Sequence, residues 1–177
     1  MKPRANPSPI RPIGAGYTLL EVLSVVGVLA VMAAIAMPNY LRLIQSDRLS
    51  AASREVVSQL RVAQSLAVKS GWFSRLAVDP SQPNSYRIET SADNTVWPQL
   101  ADTVASTAGA AAPPRVILDW VSLSGEYPGI TIAIPNTMPF NFRGGVANMG
   151  GNVQIGLAGP SGAKTITVNH AGGINVQ

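Results

Sequence analysis

An apolar run of membrane-spanning length constrains this chain more than any other feature. From Tyr17 to Met37 the sequence reads YTLLEVLSVVGVLAVMAAIAM, with Glu21 as its only ionisable acid, and Pro38 closes it. As an α-helix this run rises about 30 Å at ~1.5 Å per residue, the thickness of a bilayer's hydrocarbon core. An ionised carboxylate at mid-membrane costs about 2.5–3.5 kcal/mol on insertion scales, and less near the interface. A carboxylate kept in such a run calls for a cationic partner, and the simplest source is another chain. The competing reading is an acid that complements its own helix dipole, worth about 0.3–1 kcal/mol.

Flanking charge divides the chain. Residues 1–16 are Pro-rich and hold Lys2, Arg4 and Arg11 without an acid. That is the composition of a targeting leader. Residues 39–70 carry Arg42, Arg48, Arg54, Arg61 and Lys69 against Asp47 and Glu55. Beyond Ser70 the charges nearly balance, so the formal net charge of +4 belongs to the leader and stem. A nucleic-acid footprint requires a clustered basic face, and the sequence of the head shows none. The Ala34-Ile35-Ala36 triplet also fits an ordinary signal peptidase site with cleavage before Met37. That leaves a secreted β protein as an alternative, although Glu21 then sits inside the hydrophobic region of the signal.

From Asn39 to Ser70 the apolar spacing becomes amphipathic: Leu49, Ala52, Val56, Leu60, Ala63 and Ala67 recur at three- and four-residue steps. Gly71 reads as the helix stop. A helix from Thr18 to Ser70 is ~80 Å long, more than the remaining residues can bury, so its projecting half needs membrane or neighbours. The basic residues of this half are either a solvated face or a surface for acidic neighbours and phospholipid headgroups. Pro38 removes a backbone hydrogen bond and bends or opens the helix. Gly27 and Ala33–Ala36 either permit close helix approach or are simply membrane-helix composition.

After Gly71 the pattern turns to short strands. Trp72–Val78 and Ser85–Thr90 flank a turn beginning at Asp79-Pro80, which predicts a hairpin. Ala92–Pro114 is rich in Ala and Thr and predicts a loop. Arg115–Leu123 predicts a buried strand, and Gly129–Ile134, Phe140–Arg143, Val153–Leu157, Lys164–Asn169 and Ile174–Gln177 predict further strands. The fold class is α+β, a long N-terminal helix packed on an antiparallel β-sheet or β-sandwich head. Its divisions are 1–16 leader, 17–38 anchor, 39–71 amphipathic stem and 72–177 head.

Gly16-Tyr17-Thr18-Leu19-Leu20-Glu21 resembles the processing motif of type IV pilins and type II secretion pseudopilins. With Tyr17 as the first mature residue, Glu21 is fifth and Pro38 twenty-second, as in that family; Tyr17 stands where Phe is usual. The resemblance implies cleavage after Gly16 by prepilin peptidase and N-methylation of Tyr17. It also implies subunit assembly through Glu21 against the Tyr17 α-amine of an adjoining subunit, and a helix kink at Pro38. The stem Arg48–Lys69 and the segments Pro139–Gly145, Gly151–Ile155 and Lys164–Val176 are similar to the GspH/FimT branch. The implied product is a minor pilin or pseudopilin that primes or caps a type IV pilus or type II secretion pseudopilus. It is single-pass in the bacterial cytoplasmic membrane with a periplasmic head. Its implied partners are other pilins, prepilin peptidase, an inner-membrane assembly platform and membrane lipid.

Some FimT-like members resemble DNA receptors for natural transformation, with basic residues near the C-terminal Gly turn. Gly172–Gln177 has none here, which leaves Arg115, Arg143 and Lys164 as candidate DNA contacts if they cluster in space. Catalysis needs a convergent nucleophile, base and orienting group. The chain offers one histidine, His170, no cysteine and scattered carboxylates, so an enzyme, a metal site and a bound cofactor are not expected. The Gly-rich stretch Arg143–Gly151 lacks the Lys-Ser/Thr ending of a phosphate loop.

Overall fold

The structure, a computed structural model, describes residues 17–177 apart from 83, 111, 135–137 and 148–150. The expected leader, Gly16 included, lies outside the described residues. The chain divides after Tyr40 into two compact units.

Helix α1 (Leu19–Ser70) contributes to both. In the first unit every described residue from Tyr17 to Tyr40 is exposed. This is the one helix among the described residues that is long and apolar enough to cross a membrane. Its assignment continues through Pro38, where the missing N–H removes one donor from the ladder.

In the second unit the burial stripe of α1 is Leu49, Ala52, Ser53, Val56, Leu60, Ala63 and Ala67. All six apolar positions expected from periodicity are therefore buried, with Ser53 added; its hydroxyl donates to the Ser50 carbonyl at 2.8 Å. The alanines keep this face thin where the sheets approach. The helix ends at Gly71, which adopts φ +76° while its N–H donates to the Ala67 carbonyl at 3.0 Å. A left-handed residue at this position is the common glycine stop.

The strands form two antiparallel four-stranded sheets. The first has the order β3 (Arg115–Ser122), β2 (Ser85–Ser91), β1 (Phe73–Val78), β5 (Pro139–Phe140). The second runs β4 (Thr131–Ala133), β6 (Val153–Gly159), β7 (Gly162–Val168), β8 (Ile174–Val176). Leu76, Tyr86, Ile88 and Phe140 from the first sheet share one core with Ile132, Ile155, Leu157, Ile166 and Val168 from the second and with the α1 stripe. The β1–β2 hairpin opens on Asp79, whose carboxylate accepts the Ser81 N–H at 2.8 Å and the Ser81 hydroxyl at 2.6 Å. Those bonds, the hydroxyl's first, lower the Asp79 pKa below its ordinary value. Tyr86 is wholly buried and its phenol points at Glu55 of α1, 3.4 Å away. Burial, followed by the Glu55 charge, raises its pKa and keeps the phenol protonated.

Three expectations need correcting. Arg115–Leu123 is not a buried strand: β3 is a sheet edge whose only buried residue is Val116, and Leu123 opens a short helix, α3 (Leu123–Glu126). The Phe140–Arg143 strand stops at Phe140, where Asn141 turns the chain. The Ala92–Pro114 stretch is not merely a loop. It includes α2 (Val104–Thr107), capped reciprocally by Thr103 and Ser106, and it contacts the outer face of the first sheet. Every residue of β2 is consequently buried.

Candidate functional site

The expected site lies at the start of α1. The Thr18 hydroxyl accepts the Glu21 N–H at 3.2 Å, the N-cap half of a Thr-x-x-Glu capping box. Among the described residues, nothing forms a hydrogen bond or ion pair with the Glu21 carboxylate. Tyr17, Glu21, Val22, Val25 and Val26 line a shallow groove on one face of the helix, so Tyr17 and the acid share that face. Among the described residues, then, a carboxylate without a partner stands on an exposed apolar helix.

The three cations considered for DNA are not brought together. Arg115, at the start of β3, sits 5.9 Å from the Trp72 ring. Arg143 lies over Phe142 at 5.4 Å in the turn after β5. Lys164, on β7, donates from Nζ to the Ser50 hydroxyl at 3.2 Å. The Arg143 turn is fastened at Gln64 of α1, and Gln64 and Ser50 are about 21 Å apart along a helix rising 1.5 Å per residue.

Two arrangements were not anticipated. The first is a buried cluster on the outer face of the first sheet. Arg87 is 1% exposed. Its guanidinium donates to Glu89 Oε1 at 2.6 Å and to the carbonyls of Gln99 at 2.8 Å, Asp102 at 2.9 Å and Leu100 at 3.2 Å. It stacks 4.5 Å from the Trp120 ring centroid. The other Glu89 oxygen accepts from Arg75 Nε at 2.8 Å, and Arg75 lies 4.0 Å over Trp97. The 96–103 segment is thus wrapped around one side chain. In sequence, Ser85-Tyr-Arg-Ile-Glu-Thr-Ser91 alternates as a half-solvated strand does, and no local signal marks its polar face as buried.

The second arrangement is a pair of like turns, Asn141-Phe-Arg-Gly-Gly145 and Asn169-His-Ala-Gly-Gly173. In each, the Asn N–H donates to the last Gly carbonyl, at 2.8 and 2.9 Å, and the Asn carbonyl accepts the fourth residue's N–H at 2.9 Å. The Asn side-chain oxygen accepts the last Gly N–H, at 3.1 and 2.7 Å. The fourth residue has φ +79° at Gly144 and +86° at Gly172, a region open to glycine at little cost. The turns abut: the Val146 N–H donates to the His170 carbonyl at 3.0 Å. Gln64 Nε2 donates to the Gly144 and Gly172 carbonyls at 2.7 and 3.0 Å. Phe142, Arg143, His170 and Ala171 stand exposed at the tips. The repeated Asn-x-x-Gly-Gly pattern was the available sequence signal. Among the described residues, no group of three or more His, Cys, Asp or Glu is placed to hold a metal ion.

The acids of the first sheet and its loops hold backbone as well as charge. Asp93 accepts the Thr95 and Val96 N–H groups at 3.0 and 3.3 Å, and its pKa is lowered to about 2, chiefly by Thr95. Asp102 accepts the Gln99 N–H and Asp119 the Val104 N–H.

No family model matches the chain, and no curated protein matches it in sequence. Two solved structures are similar. The minor pseudopilin EpsH from the type 2 secretion system of Vibrio cholerae superposes with TM-score 0.50 at 9% identity, covering 73% of this chain and 96% of that one. The type IV minor pilin FimU of Pseudomonas aeruginosa gives TM-score 0.49 at 15% identity, over 73% of this chain and 92% of its own. A long N-terminal helix leads into antiparallel sheets, and the superposition with EpsH over nearly that protein's whole length makes this fold pilin-like, that of a minor pseudopilin.

Proposed function

We propose that the chain is a membrane-anchored minor pilin or pseudopilin subunit, a structural component rather than an enzyme. It is cleaved after Gly16 by prepilin peptidase, N-methylated at Tyr17, and drawn through an inner-membrane assembly platform into a type IV pilus or type II secretion pseudopilus, which it primes or caps. The observation that carries this reading is the exposed apolar helix whose Glu21 carboxylate, four residues from Tyr17, has no partner among the described residues. In a bundle of such helices, water is excluded and an unpaired acid costs several kcal/mol. The Tyr17 α-amine of a neighbouring subunit cancels that cost at one axial offset only, so the pair sets the register. Pro38 supplies the place where the stem gives during packing, and membrane lipid covers the helix before assembly.

Mass spectrometry of the mature N-terminus, with and without prepilin peptidase, tests the reading. Methylated Tyr17 as the first residue is expected only when the peptidase is present; a chain beginning at Met37 overturns it. The pairing itself is tested with Glu21→Gln, which keeps shape and removes charge. Filament incorporation is expected to fall to background while membrane insertion persists. Undiminished incorporation refutes the register mechanism.

A further inference from the structure

The charges of the head are sorted by sheet. Between Gly71 and Glu126 the chain holds Asp79, Glu89, Asp93, Asp102, Asp119 and Glu126 against Arg75, Arg87 and Arg115. From Tyr127 to Gln177 there is no acid at all, while Arg143 and Lys164 are present. Residues 56–70 of α1 add the exposed Arg61 and Lys69, again with no acid. The near-neutral head is therefore an acidic first sheet joined to a cationic remainder.

Both kinds of charge flank the same rungs of β1. On one side Ser74 pairs with Phe140, and the paired Asn-x-x-Gly-Gly turns lie just beyond. On the other side Phe73 pairs with Ser91, and Asp93 follows directly, with Trp97 seated on Arg75. The turn tips offer Phe142, 51% exposed, next to Arg143. The 92–107 segment offers Val96 and Leu100, 57% and 51% exposed, between Asp93 and Asp102. An aromatic beside a cation thus faces the same level as aliphatic side chains beside carboxylates.

We propose that these two surfaces bind each other between copies of this chain, the turn tips of one head docking on the 92–107 segment of the next. The inference rests on the anchored-subunit reading, because anchoring gathers copies of the chain in one membrane. Different patches meeting on identical subunits make a heterologous contact, which extends from copy to copy instead of closing on a two-fold axis. Arg143 meets the Asp93–Asp102 side, and Phe142 covers Val96 and Leu100. Electrostatic complementarity of this kind fixes register and excludes the reverse pairing.

The native chain has no cysteine, which permits a clean test on the full-length protein in phospholipid vesicles. Ala92→Cys and Ala171→Cys each alter an exposed alanine, one on each surface. Oxidation of vesicles containing both single variants is expected to give disulfide-linked dimers, and either variant alone is expected to stay monomeric. Adding Arg143→Glu to the Ala171→Cys chain should lower the dimer yield about fivefold, the upper range for one exposed ion pair. Gln99→Lys on the Ala92→Cys chain should restore it. A mixture no more cross-linked than the single variants, although the protein floats with the vesicles, overturns the proposal and leaves the anchored reading standing. So does equal dimerisation of either variant alone. A protein that does not float overturns the anchored reading, and the inference falls with it.

Discussion

Replacing Arg87 with alanine should unfold the outer face of the head. The substitution removes one charge and five N–H donors from a site with 2% side-chain exposure. Glu89, equally buried, keeps only Arg75, and the carbonyls of Gln99, Leu100 and Asp102 lose their donor. Breaking a buried ion pair from one side costs about 3–5 kcal/mol. Surviving contact with Arg75 lowers that figure, and stranded carbonyls at about 1–3 kcal/mol each raise it wherever water cannot reach them. The expected loss is about 4 kcal/mol. With a urea m-value of about 2 kcal/mol/M, the midpoint falls by about 2 M. Arg87→Lys keeps the charge but cannot span three carbonyls and a carboxylate with one ammonium, so it should lose roughly half as much. Urea titration of the full-length chain in detergent, followed by tryptophan emission, reads this directly. Trp97 and Trp120 stack on the two arginines and should shift to the red before the core unfolds. A midpoint change under ~0.5 M for Arg87→Ala, with Trp emission unaltered, refutes the idea that this side chain organises the segment.

Other substitutions probe the paired turns and the loop acids. A Cβ at Gly172 meets the Gly144 carbonyl oxygen and the Gln64 amide in a positive-φ backbone, so Gly172→Ala should cost about 2–4 kcal/mol and lower the melting temperature seen by calorimetry. Gln64→Leu keeps volume but withdraws both donated bonds; a loss of about 1–2 kcal/mol is expected in the same measurement. The Asp93 pKa is depressed in the folded chain, to about 2, so its contribution to the 93–96 turn is complete above the ordinary carboxylate pKa and disappears as pH falls through about 2. Amide shifts of Thr95 and Val96 should titrate at that low value by NMR, and in Asp93→Asn should not titrate there.

Much of this architecture could be read from residue order. The apolar run, the three- and four-residue spacing of Leu49 through Ala67, and Gly71 together specify α1, because a helix imposes one period and one stop. The hairpin was legible from Asp79-Pro80 and the strands on either side. What escaped was the burial of Arg87 and Glu89. A polar residue at alternate positions of a strand reads as solvent-facing, and only the distant carbonyls of Pro98, Gln99, Leu100 and Asp102 reverse that reading. β3 misled for the opposite reason: Val116, Ile117, Leu118 and Val121 suggest burial, yet the strand has a neighbour on one side only. At the expected site, Thr18 and Glu21 were legible as residues, but the acid's partner belongs to no part of the described chain.

The loop-holding role of the aspartates ties two properties that surfaces usually vary separately. Asp79, Asp93, Asp102 and Asp119 each accept a main-chain N–H, so erasing any of these charges also frees a stretch of backbone. Mutational drift on this side of the head is therefore channelled: Asn can inherit the turn without the charge, whereas Ala or Lys forfeits both. Glu126, whose carboxylate holds no main-chain group among the described residues, is where charge can change while every loop stays in place.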